Sequence, residues 1–310
     1  MLLAMAPACQ AAGDDPGFRG QVAVNWVLVP VVVRGPQGYV TGLRQEQFHL
    51  YADGRAVPIA SFETDDDAPV SLIYLQDLSG SIANGGKLEA SRAALDCLLA
   101  RLTTATAVAP AELTLATFSG DQVELPVPLA TNPDSLRAAA AEWQPRGTTA
   151  LHDAVAELPR LQAQLGHYKQ AAVLVTDGED NASLVLPALA RELVRRARLP
   201  VYVLGLHGGP PRRTLPSTTN AAAPADLLYL LSAETGGHYY PVASTTEATA
   251  ACAQIASDLR HQYVLGFPAA EGTSNYHPLR IELRDRGYRQ LTFRRGYTGG
   301  APQAWSSGGS

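Results

Sequence analysis

Residues 70–81 read VSLIYLQDLSGS. An apolar run of the length of one buried strand ends in Asp77, Ser79 and Ser81. That ending has two readings. Its oxygens hold a metal ion at a strand end, or they form an ordinary polar turn whose serine caps the following helix. Taken by itself, so short a motif favours the turn. What surrounds it decides.

Downstream, strand-like and helix-like runs alternate. KLEASRAALDCLLARL (87–102) carries Leu88, Leu95, Leu99 and Leu102 on one helical face. ELTLATF and QVELPV read as strands and PDSLRAAAAEW as a short helix. Residues 149–166 read as one longer helix with Pro159 as an irregularity inside it. QAAVLVT (170–176) and PVYVLGL read as strands, and LVLPALARELVRRARL as a helix with Pro187 in its first turn. PADLLYLLSAETGG reads as a helix closed by Gly236, HYYPV as a strand and TEATAACAQIASDLRHQ as the last helix. Such alternation from about 70 to 260 implies a parallel sheet covered on both faces.

The two ends of the chain are different. QVAVNWVLVPVVVR (21–34) is β-rich, with Pro30 marking a bulge or an edge position. Asp53-Gly54 is a hairpin signal. YVLGF, LRIELR and QLTFRRGY form a second set of strands with no helix between them, so they should be antiparallel. Each set is too small to stand alone, and together they are expected to make one β-sandwich into which the α/β domain is inserted. The expected limits are 20–65 and 261–298 for the sandwich and 66–260 for the insert, with a signal-like or disordered stretch at 1–19 and a flexible tail at 299–310.

Composition narrows the function. The chain has 310 residues, 46% of them apolar, and a formal net charge of −5 with no basic run, which gives no footprint for nucleic acid. No stretch has the length of a transmembrane helix. MLLAMAPACQAAG has a short apolar core followed by small residues, which points to an extracytoplasmic protein: secreted, periplasmic or on the cell surface. Cys97 and Cys252 fall on helices; a single bridge between them in an oxidising compartment is one reading, and free buried thiols are the preferred one.

Three polar clusters fall at the carboxyl ends of strands or just before helices, where open α/β sheets bind ligands. They are Asp77-Leu78-Ser79-Gly80-Ser81, Gly147-Thr148-Thr149 and Asp177-Gly178-Glu179-Asp180. Their oxygens are hard ligands, suited to Mg²⁺, Ca²⁺ or Mn²⁺, with no cysteine to favour zinc. The phosphate-loop, dinucleotide and G-x-S-x-G signatures are missing from the sequence, and a phosphoryl-accepting aspartate would want a second acid where Ser79 stands.

DLSGS, GTTALHDA and TDGED resemble the three parts of the metal-ion-dependent adhesion site of von Willebrand factor type A domains. The flanks, VNWVLVPVVVRGPQGYVTGL and IASDLRHQYVLGF with FRRGY, resemble the acidobacterial von Willebrand factor A-related group. The resemblance implies a Rossmann-like three-layer fold and a divalent-cation site, Mg²⁺ first, formed by Asp77, Ser79, Ser81, Thr149 and Asp177. Thr148 stands where many members have a second glycine. Gly80, Thr148, Gly178, Glu179 and Asp180 are candidates for the rim. The implied function is non-enzymatic binding of a protein partner whose Asp or Glu carboxylate completes the metal shell. A structural or assembly module with a stabilising metal is the alternative, and a metal-dependent hydrolase a weaker one. By the same resemblance the last helix, around Ala248 to Arg260, shifts with ligand.

Overall fold

The computed structural model describes residues 26–64, 66–103, 110–120, 122–207, 224–269, 275–284 and 290–299. The signal-like N-terminus, residues 208–223 and the tail beyond Gly299 lie outside the described residues. The chain opens with strands β1 (Trp26–Gly35), β2 (Gly38–Tyr39), β3 (Phe48–Ala52), β4 (Arg55–Val57) and β5 (Ser61–Glu63). Next come β6 (Val70–Asp77), α1 (Lys87–Leu102), β7 (Glu112–Ser119), β8 (Gln122–Ala130), α2 (Pro133–Ala141), α3 (Leu151–Ala156) and α4 (Leu158–Gln162). They are followed by β9 (Lys169–Thr176), α5 (Pro187–Arg196), β10 (Val201–Leu206), α6 (Pro224–Thr235), β11 (Tyr239–Val242) and α7 (Thr245–Arg260). The chain closes with β12 (Gln262–Pro268), β13 (Tyr276–Leu283), β14 (Gln290–Phe293) and β15 (Gly296–Thr298).

The central sheet has the order β11-β10-β9-β6-β7-β8, parallel except for β8, which runs against β7. Alternate residues of β6 feed two cores. Leu72 and Tyr74 pack with Leu95 and Leu99 of α1, Leu136 of α2 and Ile255 of α7. Ile73 and Leu75 pack on the other side with Leu151, Leu158, Val194 and Leu228. A strand buried on both faces shows no polar period, which is why 70–77 is almost continuously apolar. Each such side chain contributes about 1.5–3 kcal/mol by leaving water. The result is the three-layer α/β architecture expected from the sequence.

Strands from both chain ends build the two remaining sheets. One has the order β14-β1-β12-β5 with β2 on β1, the other β15-β13-β3-β4. Val27, Val29, Leu265 and Phe267 of the first face Phe48, Leu50, Leu279 and Ile281 of the second in one core. The sandwich is therefore completed only by pairing the ends. Asp53 and Gly54 both take positive φ, 51° and 75°, in the tight turn from β3 to β4. The β1–β12 register runs without a shift through Pro30, and β14 pairs with β1 only from Val31 onward. Pro30 thus sits at a locally unpaired edge, where its missing N–H is harmless, and not at a bulge.

Two expectations need correction. Residues 149–166 do not form one helix: α3 ends at Ala156 and α4 starts at Leu158 with Pro159 in its first turn. Proline cannot continue a helix but is accommodated at the start of one. The last β segment also divides, β14 joining one sheet and β15 the other. Arg294 is buried at this crossing and donates to the carbonyls of Gly296, Arg195 and Ala197. Gly236, which closes α6, has φ +85°, and a Cβ there would lie 2.5 Å from the Arg294 nitrogen. Only glycine permits both that conformation and that approach.

The end of α7 is anchored to the sandwich. Buried Asp258 accepts from Arg34 of β1 and from the Tyr39 hydroxyl of β2, the latter at 2.6 Å. Cys97 and Cys252 are free thiols where α1 packs on α7. Cys252 is buried, and Cys97, partly buried, donates to the Thr249 carbonyl at 3.5 Å.

Candidate metal centre

The chain leaves β6 for β7 on one side and returns to β9 on the other. The carboxyl end of β6 is therefore the switch point of the sheet, where a crevice must open. Asp77 is the last residue of β6, and Asp177 follows β9 directly. Backbone bonds bring in the third segment. Arg146 N–H donates to the Leu78 carbonyl at 2.7 Å, Gly80 N–H to that of Gly147 at 3.0 Å, and Gly120 N–H to that of Thr148 at 2.7 Å. Three stretches far apart in sequence are thereby held together at one rim.

The side chains argue against the plain turn-and-cap reading of DLSGS. Ser79 does occupy the start of a 3₁₀ turn, Gly80–Ala83, but its side chain makes no capping bond. Helix α1 starts after Gly86, again without a side-chain cap. The Ser79 hydroxyl instead lies 3.1 Å from that of Ser81. Thr149 is buried, 2% exposed, whereas Thr148 is exposed and contributes its carbonyl to Gly120. Thr149 N–H donates to Asn181 Oδ1 at 2.8 Å.

Asp77 is fully buried. It accepts from Ser79 N–H at 2.8 Å on Oδ1 and from the Thr176 hydroxyl at 2.7 Å on Oδ2. Burial pushes its carboxyl up to about 6; bonds from Thr176 and Ser79 oppose the rise, and the nearby charge of Asp177 adds to it. Asp177 Oδ2 accepts from Lys87 Nζ at 2.7 Å. Its Oδ1 is buried without a hydrogen-bond partner among the described residues. A buried carboxylate, a second carboxylate with an orphaned oxygen and adjacent hydroxyls are a donor set that fits a hard divalent cation.

The family model described as von Willebrand factor type A domain matches residues 72–179. This chain carries a von Willebrand factor type A domain. No curated protein matches it. Among solved structures, a von Willebrand factor type A protein from Catenulispora acidiphila is 11% identical, with 89% of this chain and 74% of that chain covered and a TM-score of 0.50. BatB from Bacteroides thetaiotaomicron is 18% identical over 61% of this chain and 98% of its own, with a TM-score of 0.47. Proximal thread matrix protein 1 from the mussel byssus, solved with a zinc-occupied MIDAS motif, is 15% identical over 67% of this chain and 49% of its own, with a TM-score of 0.49. At 11% identity the likeness to the Catenulispora acidiphila protein concerns the fold alone.

The rim of this type A domain has further features. Gly178 takes φ +86°, and its N–H donates to the Thr176 hydroxyl that holds Asp77. Glu179 is exposed. Asp180 turns inward, bonding the Ser183 hydroxyl at 2.5 Å and His152 N–H at the start of α3 at 3.0 Å. Asp153 accepts from Leu184 N–H and Val185 N–H at 3.1 and 2.8 Å. That holds a pinned loop on which Leu184 is 88% and Leu186 70% exposed. Sequence reasoning missed Lys87 and Asn181. Lys87 had a signal: a cation in the first turn of a helix opposes the helix dipole and needs a compensating anion. Asn181 had none beyond being a polar loop residue.

Proposed function

We propose that this type A domain is a non-enzymatic, divalent-cation-dependent binding module of the adhesion type. Its metal is held by Asp77, Ser79, Ser81, Thr149 and Asp177, with Mg²⁺ as the first candidate and Ca²⁺ or Mn²⁺ as others. A carboxylate from a protein partner completes the shell, because two carboxylates and neutral hydroxyls do not fill six positions. The proposal takes 66–260 as the binding domain, the two end segments as its frame, and an extracytoplasmic location. No described helix is long and apolar enough to cross a membrane.

The observation that carries the reading is Asp177 Oδ1, a buried carboxylate oxygen with no hydrogen-bond partner among the described residues, on a side chain whose other oxygen shares the Lys87 ammonium with the Ser81 carbonyl. A structural or assembly module with the same metal is the second reading, favoured by the anchoring of α7 to the sandwich through Asp258. Partner capture in Mg²⁺ against EDTA separates the two. Capture that is lost in EDTA supports adhesion, and capture indifferent to EDTA leaves the metal structural.

A further inference from the structure

Lys87 is the first residue of α1, where a cation faces the positive end of the helix. Its ammonium is nonetheless held inward. It donates to Asp177 Oδ2 at 2.7 Å and to the Ser81 carbonyl at 3.4 Å, and its side chain is 18% exposed beside 6% for Asp177. One carboxylate is thus divided, Oδ2 on Lys87 and Oδ1 without a partner among the described residues.

We propose that Lys87 is a built-in counter-charge that sets how the centre divides its affinity between metal and anion. This rests on the cation-binding reading above. At neutral pH, Asp77 and Asp177 bring two negative charges, and the hydroxyls of Ser79, Ser81 and Thr149 bring none. A divalent cation cancels the pair, and Lys87 leaves the loaded centre one positive charge in excess. Without Lys87 the loaded centre is neutral and attracts a carboxylate less. The same ammonium repels the cation and competes for Asp177. Lys87 therefore weakens metal binding and strengthens anion binding. A lysine that only supported the packing would move both affinities the same way when removed.

The test measures Mg²⁺ affinity by calorimetry and acetate affinity by amide chemical shifts in Mg²⁺-saturated protein. Lys87→Met and Lys87→Gln should bind Mg²⁺ about tenfold more tightly and acetate about tenfold more weakly. Lys87→Arg, which keeps the charge, should stay near wild type on both. If both affinities shift in the same direction, or neither shifts, the counter-charge role is overturned while the metal site stands. Loss of the fold in both neutral variants with Mg²⁺ present overturns it as well, since a tuning charge is dispensable for folding. If the wild-type protein binds no Mg²⁺, the cation reading falls and takes this proposal with it.

Discussion

Thr149 and Asn181 clasp each other. Thr149 N–H donates to Asn181 Oδ1 at 2.8 Å, and Asn181 N–H donates to the Thr149 carbonyl at 3.0 Å. The clasp fixes the start of α3 against the loop after β9. Asn181→Ala strips one bond from it and loosens the residue assigned as the metal's threonine. Mg²⁺ affinity should fall about 10–100-fold, the range for residues that support metal ligands. Thr149→Ala should lose at least as much and Thr148→Ala little, by calorimetric titration. The reverse order would move the assignment to Thr148.

Asp77 is a charge buried in a cradle of hydrogen bonds. Mg²⁺ at a hundred times its Kd should stabilise the wild-type protein by about 2.7 kcal/mol, and Asp77→Asn should gain nothing. In EDTA the order should invert, with Asp77→Asn at least as stable as wild type because no buried charge remains to be neutralised. Thermal unfolding with and without Mg²⁺ reads both effects. Equal gains for the two proteins would remove Asp77 from the site.

Leu184 and Leu186 stand exposed on a loop pinned by Asp153. If the proposed partner docks at this rim, these two side chains are within its footprint. Replacing both leucines by serine should leave Mg²⁺ affinity unchanged and reduce Mg²⁺-dependent partner capture several-fold. Undiminished capture would exclude these side chains from the interface.

Glu234 of α6 accepts hydrogen bonds from Arg191 and Arg195 of α5. Burial alone would raise its carboxyl, but the two guanidiniums outweigh burial and hold it below the ordinary value of 4.5. A group depressed on folding stabilises above its unfolded pKa, and that contribution is lost as pH falls through the folded one. Glu234→Gln should therefore be less stable than wild type at neutral pH, and the gap should narrow as the pH falls through the depressed carboxylate range. Urea unfolding from pH 3 to 7 checks it. A gap constant with pH would mean the loss is one of packing.

Asp258 and Arg34 join the last helix to the sandwich. Removing the buried partner leaves the arginine uncompensated, so Asp258→Ala should destabilise by about 2–4 kcal/mol, the lower end reflecting Arg34's partial exposure. Arg34→Met combined with Asp258→Leu should recover part of that. A double-mutant cycle in urea measures the coupling, and strict additivity would deny it.

Local signals carried much of this fold. The 70–77 strand is legible because burial on both faces erases polar alternation, and Asp53-Gly54 because few residues accept two successive positive φ angles. The three polar clusters are legible because their order matches strand ends. Other features depend on partners distant in the chain. Nothing near Gln290 says that the strand will change sheets at Arg294. Pro159 announced an irregularity but not whether the helix would kink or break. Asn181 matters only through Thr149, 32 positions away.

The interleaved sandwich also bears on biosynthesis. Val29 pairs with Leu265, so the first strand emerges from the ribosome long before its neighbour exists. At roughly 5–20 residues per second the wait is of the order of tens of seconds. Throughout it, the valine ladder of β1 lacks β12, the strand it pairs with from Trp26 to Val32. The nascent chain therefore carries an apolar strand whose main pairing partner is made last among the sheet's long strands.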